Sequence, residues 1–482
     1  MPTTSLADDP TIQKHRWWIL VAVCLFIFMS TLDASIVNIA LPVISRDLAI
    51  PMNQAEWVVS IYLIIICALL LLFGKLGDTH GKVRIFKIGA VLFTLGSLLC
   101  GFSFGFPLLL TARALQAIGS AMTMSTSNGI ITEVFPFHER GRALGTIGSF
   151  VALGSIAGPG IGGLILAHLS WGYIFWINVP IGIVAILVGQ RILPKDLVAQ
   201  PQTIDWWGAG LFAVVMVTVF TGIFVGQEIG FGRPLILALF AVGLLALVVF
   251  GYQEVHTADP ILALGLFKNA RFAVSVLCAF LIFVTNFFFN VIAPFYLENA
   301  RGLPANYAGY ALMTFPIVQV IVAPISGTIS DKIGPELLTF IGLVLIAISQ
   351  VGYMFASLTT PLWVFMGFIG VVGLGNGIFM APNNSIVMSS VPTRSLGVAG
   401  GINALARELG MVIGISLATT VLFAAMSHSA GHSVTSYLPQ HPQLFIHGMH
   451  VAFLVALVIC LVATVITGLR LANRRRAARS AK

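Results

Sequence analysis

Two charged side chains stand where water is not expected. Asp33 lies inside the apolar run that begins at Trp17, and Arg113 lies inside the run 107–130. An ionisable group in the hydrocarbon interior is costly and usually functional, and loss of water favours the neutral form of a carboxyl group. A carboxyl that can trade a proton for a cation has the minimum chemistry for exchanging the two across a barrier. The plainer alternative is a neutral acid bonded to a neighbouring helix. Arg113, Gln116 and Ser120 fall at i, i+3 and i+7, so one face of that helix is polar. A guanidinium cannot shed its proton and must meet an acceptor or water; a charge partner for the proton site and a structural anchor both fit. Asn38, about one and a half turns beyond Asp33, can serve a substrate or a neighbouring helix.

A second polar set lies in the other half of the chain. Asn286 and Asn290 share a helix face among Phe283, Phe287, Phe288 and Phe289, and Asn403 and Arg407 share another beside Glu408; Gln319, Asn376, Asn383 and Asn384 add to them. Polar groups facing lipid are expensive, so these are expected to face the interior. Aromatic and amide linings suit amphipathic ligands, through ring area and cation–π contact, although packing is the commoner role of any one Phe. Asp78 and Asp331 sit in short segments beside Lys75, Lys82, Arg84 and Lys332, with Gly81 and Gly334 permitting the turn. Such carboxylates can pair with an arginine or a helix N-terminus in one conformation and release it in another. Gly154, Gly158 and Gly162 recur every four residues, the spacing that lets a second helix approach closely, and Pro159 can bend that helix.

These residues need elements that hold them in lipid. The chain of 482 residues is 58% hydrophobic and 9% charged, against roughly 25% charged for a soluble domain, and its mean hydropathy is +0.99. Fourteen apolar runs are long enough to span, the first at 17–42 and the last at 447–470, which predicts an all-α integral membrane protein. The net charge of +8 forms no single basic surface, so no nucleic-acid partner is expected. Of the 25 Lys and Arg, only Arg46, Arg233 and Arg301 fall in segments assigned to the outer side, with Arg113 and Arg407 inside spans. That bias puts both termini in the cytoplasm and favours an even number of spans. The first run is too long for a cleaved signal and reads as a retained helix. The five cysteines all lie in apolar runs and read as core residues. His428, His432 and His441 are irregularly spaced, as in a solvated loop, and no metal is expected. No nucleotide-binding loop, GxSxG or HExxH occurs, so neither an enzyme nor a cofactor is expected.

The chain also repeats itself. Gly74-x3-Asp78-x2-Gly81 recurs as Gly327-x3-Asp331-x2-Gly334, an offset of 253 residues; Pro136, Gly141 and Gly145 recur as Pro392, Gly397 and Gly401, an offset of 256. Two six-helix halves with an inserted pair account for both offsets, a plan known among transporters. The resulting division is a cytoplasmic N-terminus over 1–16, a first bundle over 17–193, the inserted pair with its loops over 194–270, a second bundle over 271–470 and a basic tail over 471–482.

With these motifs in order, the chain resembles the fourteen-helix drug:proton antiporter branch of the major facilitator superfamily. The residues that carry the likeness are Leu32–Pro42, Gly74–Arg84, Arg113–Gly119, Gly154–Gly163, Trp171–Gly182, Gly373–Pro382 and Arg394–Gly414. Gly172-Tyr173 departs from the usual arginine and aromatic. The resemblance implies two six-helix bundles with two further helices between them, fourteen in all. It also implies a multi-pass monomer in the cell (inner) membrane whose partners are a small-molecule substrate, protons and the bilayer. Asp33 would then couple to protons with Arg113 as charge partner, Asp78 and Asp331 would gate, and the Gly154 motif would lean the direction toward export of amphipathic cationic or neutral compounds. A lipid or endogenous-metabolite transporter of the same fold stays open; a membrane sensor without transport fits less well, because no loop is long enough for a soluble domain.

Overall fold

Backbone in hydrocarbon must satisfy its own hydrogen bonds, and helices do this within each segment. In the computed structural model the described residues are 6–102, 105–196, 203–432, 434, 437–438 and 440–480, without the side chains of 52, 53, 156, 159, 227, 228, 305, 306 and 473–480. Among them regular structure is helical throughout. The first six segments are α1 (Pro10–Asp47), α2 (Met52–His80), α3 (Lys82–Cys100), α4 (Phe106–Val134), α5 (Arg140–His168) and the pair α6 (Tyr173–Trp176) and α7 (Asn178–Ile192), which break at Ile177. Next come α8 (Trp206–Ile229) and α9 (Pro234–His256). The last six segments are α10 (Ala270–Phe295), α11 (Ala305–Leu312) with α12 (Thr314–Ile333), α13 (Pro335–Met354), α14 (Leu362–Ser389), α15 (Leu396–Ala430) and α16 (Pro442–Ser480).

Thirteen helices among the described residues are long and apolar enough to cross a membrane. The fourteenth candidate, α4, has 29 residues and ample length, but Arg113, Gln116 and a run of Ser and Thr lower its hydropathy. That polarity is explained by burial: Arg113, Gln116, Ser120, Thr123, Ser125 and Thr126 are all enclosed. Two ends differ from the sequence expectation. The first helix starts at Pro10, capped by Asp9, whose carboxylate accepts Thr11 N at 2.8 Å. The last runs on as helix to Ser480, through the segment expected as a separate tail; the side chains of its arginines from 474 onward lie outside the described residues.

The helices gather into two compact units. The first comprises Met1–Ala143, Phe150–Asn269 and Met388–Leu405; the second comprises Leu144–Ser149, Ala270–Val387 and Ala406–Lys482. The repeated glycines do equivalent work in each. A Cβ on Gly401 would stand 2.7 Å from Leu70 O in the first unit, and one on Gly145 2.5 Å from Ala323 O in the second. Leu70 and Ala323 are themselves 253 residues apart, so the repeat in sequence is a repeat in packing. The second unit is filled by an aromatic core that includes Phe288, Phe289, Tyr353, Phe365 and Phe453.

Candidate functional site

In the first unit, α3 and α4 lie almost backbone to backbone. A Cβ on Gly96 would come within 2.6 Å of the Gln116 backbone, and this closeness delivers Ser97 to the Gln116 side chain. Around that contact five helices build one network. Asp33 of α1 accepts from Arg113 Nη1 at 2.5 Å, Gln116 Nε2 at 2.8 Å and Asn178 Nδ2 at 3.1 Å. Arg113 Nη1 also donates to Gln116 Oε1 at 2.6 Å, and Nε to Val58 O of α2 at 2.9 Å. Gln116 Nε2 reaches Ser97 Oγ at 2.8 Å. The Tyr62 ring lies 4.2 Å from the guanidinium carbon, and its hydroxyl donates to Ser120 Oγ at 2.9 Å. Asp33, Arg113, Gln116 and Asn178 are 0% exposed.

Nothing in this constellation can take the place of a charge. Every direct partner of Asp33 is a donor, so the carboxylate form satisfies them all, and a charge-assisted bond of this length is strong. Protonating Asp33 removes an acceptor and obliges at least one donor to turn away. Two buried atoms already lack a partner among the described residues, Arg113 Nη2 and Asn178 Oδ1. Such orphans are rare in protein interiors. The arrangement thus pairs one carboxylate with a guanidinium and two amides, all four residues out of contact with solvent.

Sequence reasoning grouped Asp33, Arg113 and Gln116, and these meet. Asn38 does not join them: it is exposed and donates to Ala34 O of its own helix at 3.0 Å. Asn178, Tyr62 and Ser97 were not singled out as site residues. Asn178 carried the available signal, an amide beside the α6–α7 break within an otherwise apolar run.

At the end of α2, Asp78 lies against the start of α15. Its oxygens accept Gly397 N at 2.7 Å and Val398 N at 2.8 Å, a carboxylate on a helix N-terminus. Lys82 Nζ stands 2.9 Å from Asp78 and 2.9 Å from Glu133. Gly74 makes the approach possible, since a Cβ there would be 2.5 Å from Gly397 O. Gly81 turns with φ +103°. α3 has no side-chain cap of its own; instead Asp196 accepts Val83 N at 2.7 Å and Arg84 N at 2.9 Å, while Arg84 is exposed. Asp331 is half-buried at the end of α12. Along α5, Gly154, Gly158 and Gly162 face Thr31, Ser35 and Ile36 of α1, the residues that flank Asp33; the side chain of Pro159 lies outside the described residues.

The second unit is arranged differently. Asn286 and Asn376 exchange both amide bonds, at 2.6 and 3.0 Å. Asn290 is exposed and donates to Asn286 O at 3.1 Å. Gln319 is buried, as is Glu408, which meets Arg407 Nε at 3.3 Å. Asn403 is buried on the part of α15 that belongs to the first unit.

Known proteins share this architecture. The family model described as the Major Facilitator Superfamily matches residues 23–415. The riboflavin transporter RibZ of Clostridioides difficile is 33% identical over 94% of this chain and 97% of its own. The tetracenomycin C resistance and export protein of Streptomyces glaucescens is 30% identical over 89% of this chain and 81% of its own. The solved proton:xylose symporter XylE superposes with a TM-score of 0.64 at 13% identity, covering 94% of this chain and 95% of that one. The chain therefore belongs to the major facilitator superfamily, in its drug-efflux branch, and is a membrane transporter.

Proposed function

We propose that the protein is a proton-coupled antiporter that exports small amphipathic compounds, cationic or neutral, by alternating access of two six-helix halves. The observation that carries this reading is the fully enclosed Asp33–Arg113–Gln116–Asn178 network. A proton arriving from outside converts the Asp33 carboxylate to the acid and frees Arg113 from it. Loss of that proton to the cytoplasm restores the ion pair. The Asp78 cap on α15 acts as a latch in this cycle, made in one conformation and broken in the other. Asn286, Asn376, Gln319, Arg407 and Glu408 supply polar contacts for substrate.

The substrate is open between two classes. The match to a tetracenomycin exporter favours xenobiotic aromatics. The riboflavin transporter, matched over nearly the whole of both chains, favours a flat heteroaromatic metabolite. Both classes present fused rings, which an aromatic and amide lining suits. The test uses reconstituted vesicles with an imposed pH gradient and a panel spanning both classes. Wild-type protein is expected to move at least one ring compound against its gradient, and Asp33→Asn to lose that uphill transport while retaining expression. Full pH-driven transport by Asp33→Asn would remove Asp33 from the coupling step.

A further inference from the structure

The enclosed network has a second tier of polar groups beside it. Ser30 lies one turn from Asp33 on α1, Tyr62 one turn from Val58 on α2, and Ser120 one turn from Gln116 on α4. Their hydroxyls close a triangle. Tyr62 donates to Ser120 Oγ at 2.9 Å, and Ser30 Oγ stands 2.7 Å from Ser120 Oγ and 3.2 Å from the Tyr62 hydroxyl. All three residues are buried. A hydroxyl has one proton to give and can still accept, so a triangle that spends each proton on the next oxygen keeps acceptor capacity among its corners.

Arg113 is the donor that lies against this triangle. Its guanidinium carbon is 4.2 Å from the centre of the Tyr62 ring and 5.6 Å from that of Phe175, and ring faces attract a cation without fixing where along the face it lies. Nη2 is buried and has no hydrogen-bond partner among the described residues. The Tyr62 hydroxyl is the edge of the very ring on which the guanidinium rests. The acid has a matching provision. Asn178 Nδ2 donates to Asp33 Oδ1, and Asn178 Oδ1, buried and without a partner among the described residues, is placed to accept the proton of a neutral Asp33. The titratable groups facing Arg113 are Asp33 on α1, Tyr62 on α2 and Cys100 on α3, whose thiol lies 3.8 Å from Gln116 Oε1; Phe175 and Asn178 of α6 and α7 do not titrate.

We infer that the triangle is a second seat for Arg113: when Asp33 takes up a proton, the guanidinium slides along the Tyr62 ring and donates to the oxygens of Tyr62, Ser120 and Ser30. Asp33 gains one proton and one O–H bond, and Arg113 keeps its charge throughout. Tyr62, Ser120 and Ser30 are therefore positioning residues, each acting through Arg113. The inference rests on the reading of Asp33 as the proton site.

The test is an infrared difference titration of the whole protein in nanodiscs, without substrate or gradient. It reads the carbonyl band of neutral Asp33, assigned by its loss in Asp33→Asn. Tyr62→Phe keeps the ring and Ser120→Ala keeps the helix, but each takes acceptors from the state in which the acid is neutral. Protonation then requires more acid conditions: about threefold more protons for either variant and roughly tenfold, one pH unit, for the two together. Thr126→Val removes a hydroxyl of α4 that bonds only carbonyls of its own helix, and it should titrate as wild type. If the double variant is too unstable to purify, Tyr62→Phe alone decides. A midpoint equal to wild type, or moved to higher pH, would overturn the inference. So would an equal shift in Thr126→Val, which would mark packing rather than a seat. A wild type with no Asp33 band at any pH would instead overturn the proton-site reading itself, and the seat with it.

Discussion

The polar groups of the two units are buried to similar depth but are built on opposite plans. In the first, an acid and an arginine meet with no exposure at all, and amides and hydroxyls from four helices complete them. In the second, two asparagines satisfy each other; its ion pair Arg407–Glu408 is longer and partly exposed, and in Arg271–Glu336 the arginine is half exposed. A neutral amide pair has no state to switch into. A buried ion pair does, because adding one proton leaves its cation without a counter-charge. Under the proposed function, the contrast gives switching to the first unit and recognition to the second.

The sharpest way to break that contrast is to remove Arg113. Arg113→Leu leaves the Asp33 charge buried and unpaired, which costs about 3–5 kcal/mol. We expect a large fall in thermal stability and no pH-driven flux. The double variant Asp33→Asn with Arg113→Gln removes both charges and should recover most of the stability, but none of the coupling. Equal stability losses in the single and double variants would mean that the pair is not a pair.

Gly158→Leu comes next. It wedges α5 off α1 beside Ser35, and overpacking of this kind costs about 1–3 kcal/mol. Because α1 carries Asp33, flux should fall further than stability alone explains; wild-type flux would show that α1 tolerates displacement. Asn286→Leu should cost about 1–3 kcal/mol by stranding the Asn376 amide, with the Asn286→Leu/Asn376→Leu pair less harmed. It should alter which compounds are carried and leave the pH dependence of flux alone. A shifted pH profile would move switching into the second unit.

How far these regions could be foreseen differs by residue. Asp33 and Arg113 announce themselves because a charge within an apolar run has few explanations, and the motif spacings fix where α2, α4 and α5 run. Asn178 is harder to foresee, since one amide in a span is unremarkable until the α6–α7 break turns it toward Asp33. Asp196 is harder still. It lies in a linker, and its role as the cap of α3 depends on a contact more than a hundred residues away. The Asn286–Asn376 exchange was likewise hidden: each residue reads as a free polar group, and only their meeting makes them neutral partners. Composition shows which groups are costly in lipid; tertiary structure decides which groups cancel.

Asn38 gives the smallest expected effect and for that reason a clean test of the boundary. Its residue type and its place beyond Asp33 on α1 make it a natural member of the switching group, yet its amide bonds back to Ala34 O and its side chain is exposed. A bond within one helix of this kind contributes about 0.5–1.5 kcal/mol at most, and water or a headgroup can replace it where the group is exposed. Asn38→Ala should therefore change thermal stability by less than about 1 kcal/mol and leave the pH dependence of flux unchanged. If uphill transport were lost in this variant with stability intact, Asn38 would have to meet Asp33 or the substrate in another conformation. The switching group would then extend along α1 well beyond the enclosed network, and the division of labour between the two units would have to be redrawn around that helix.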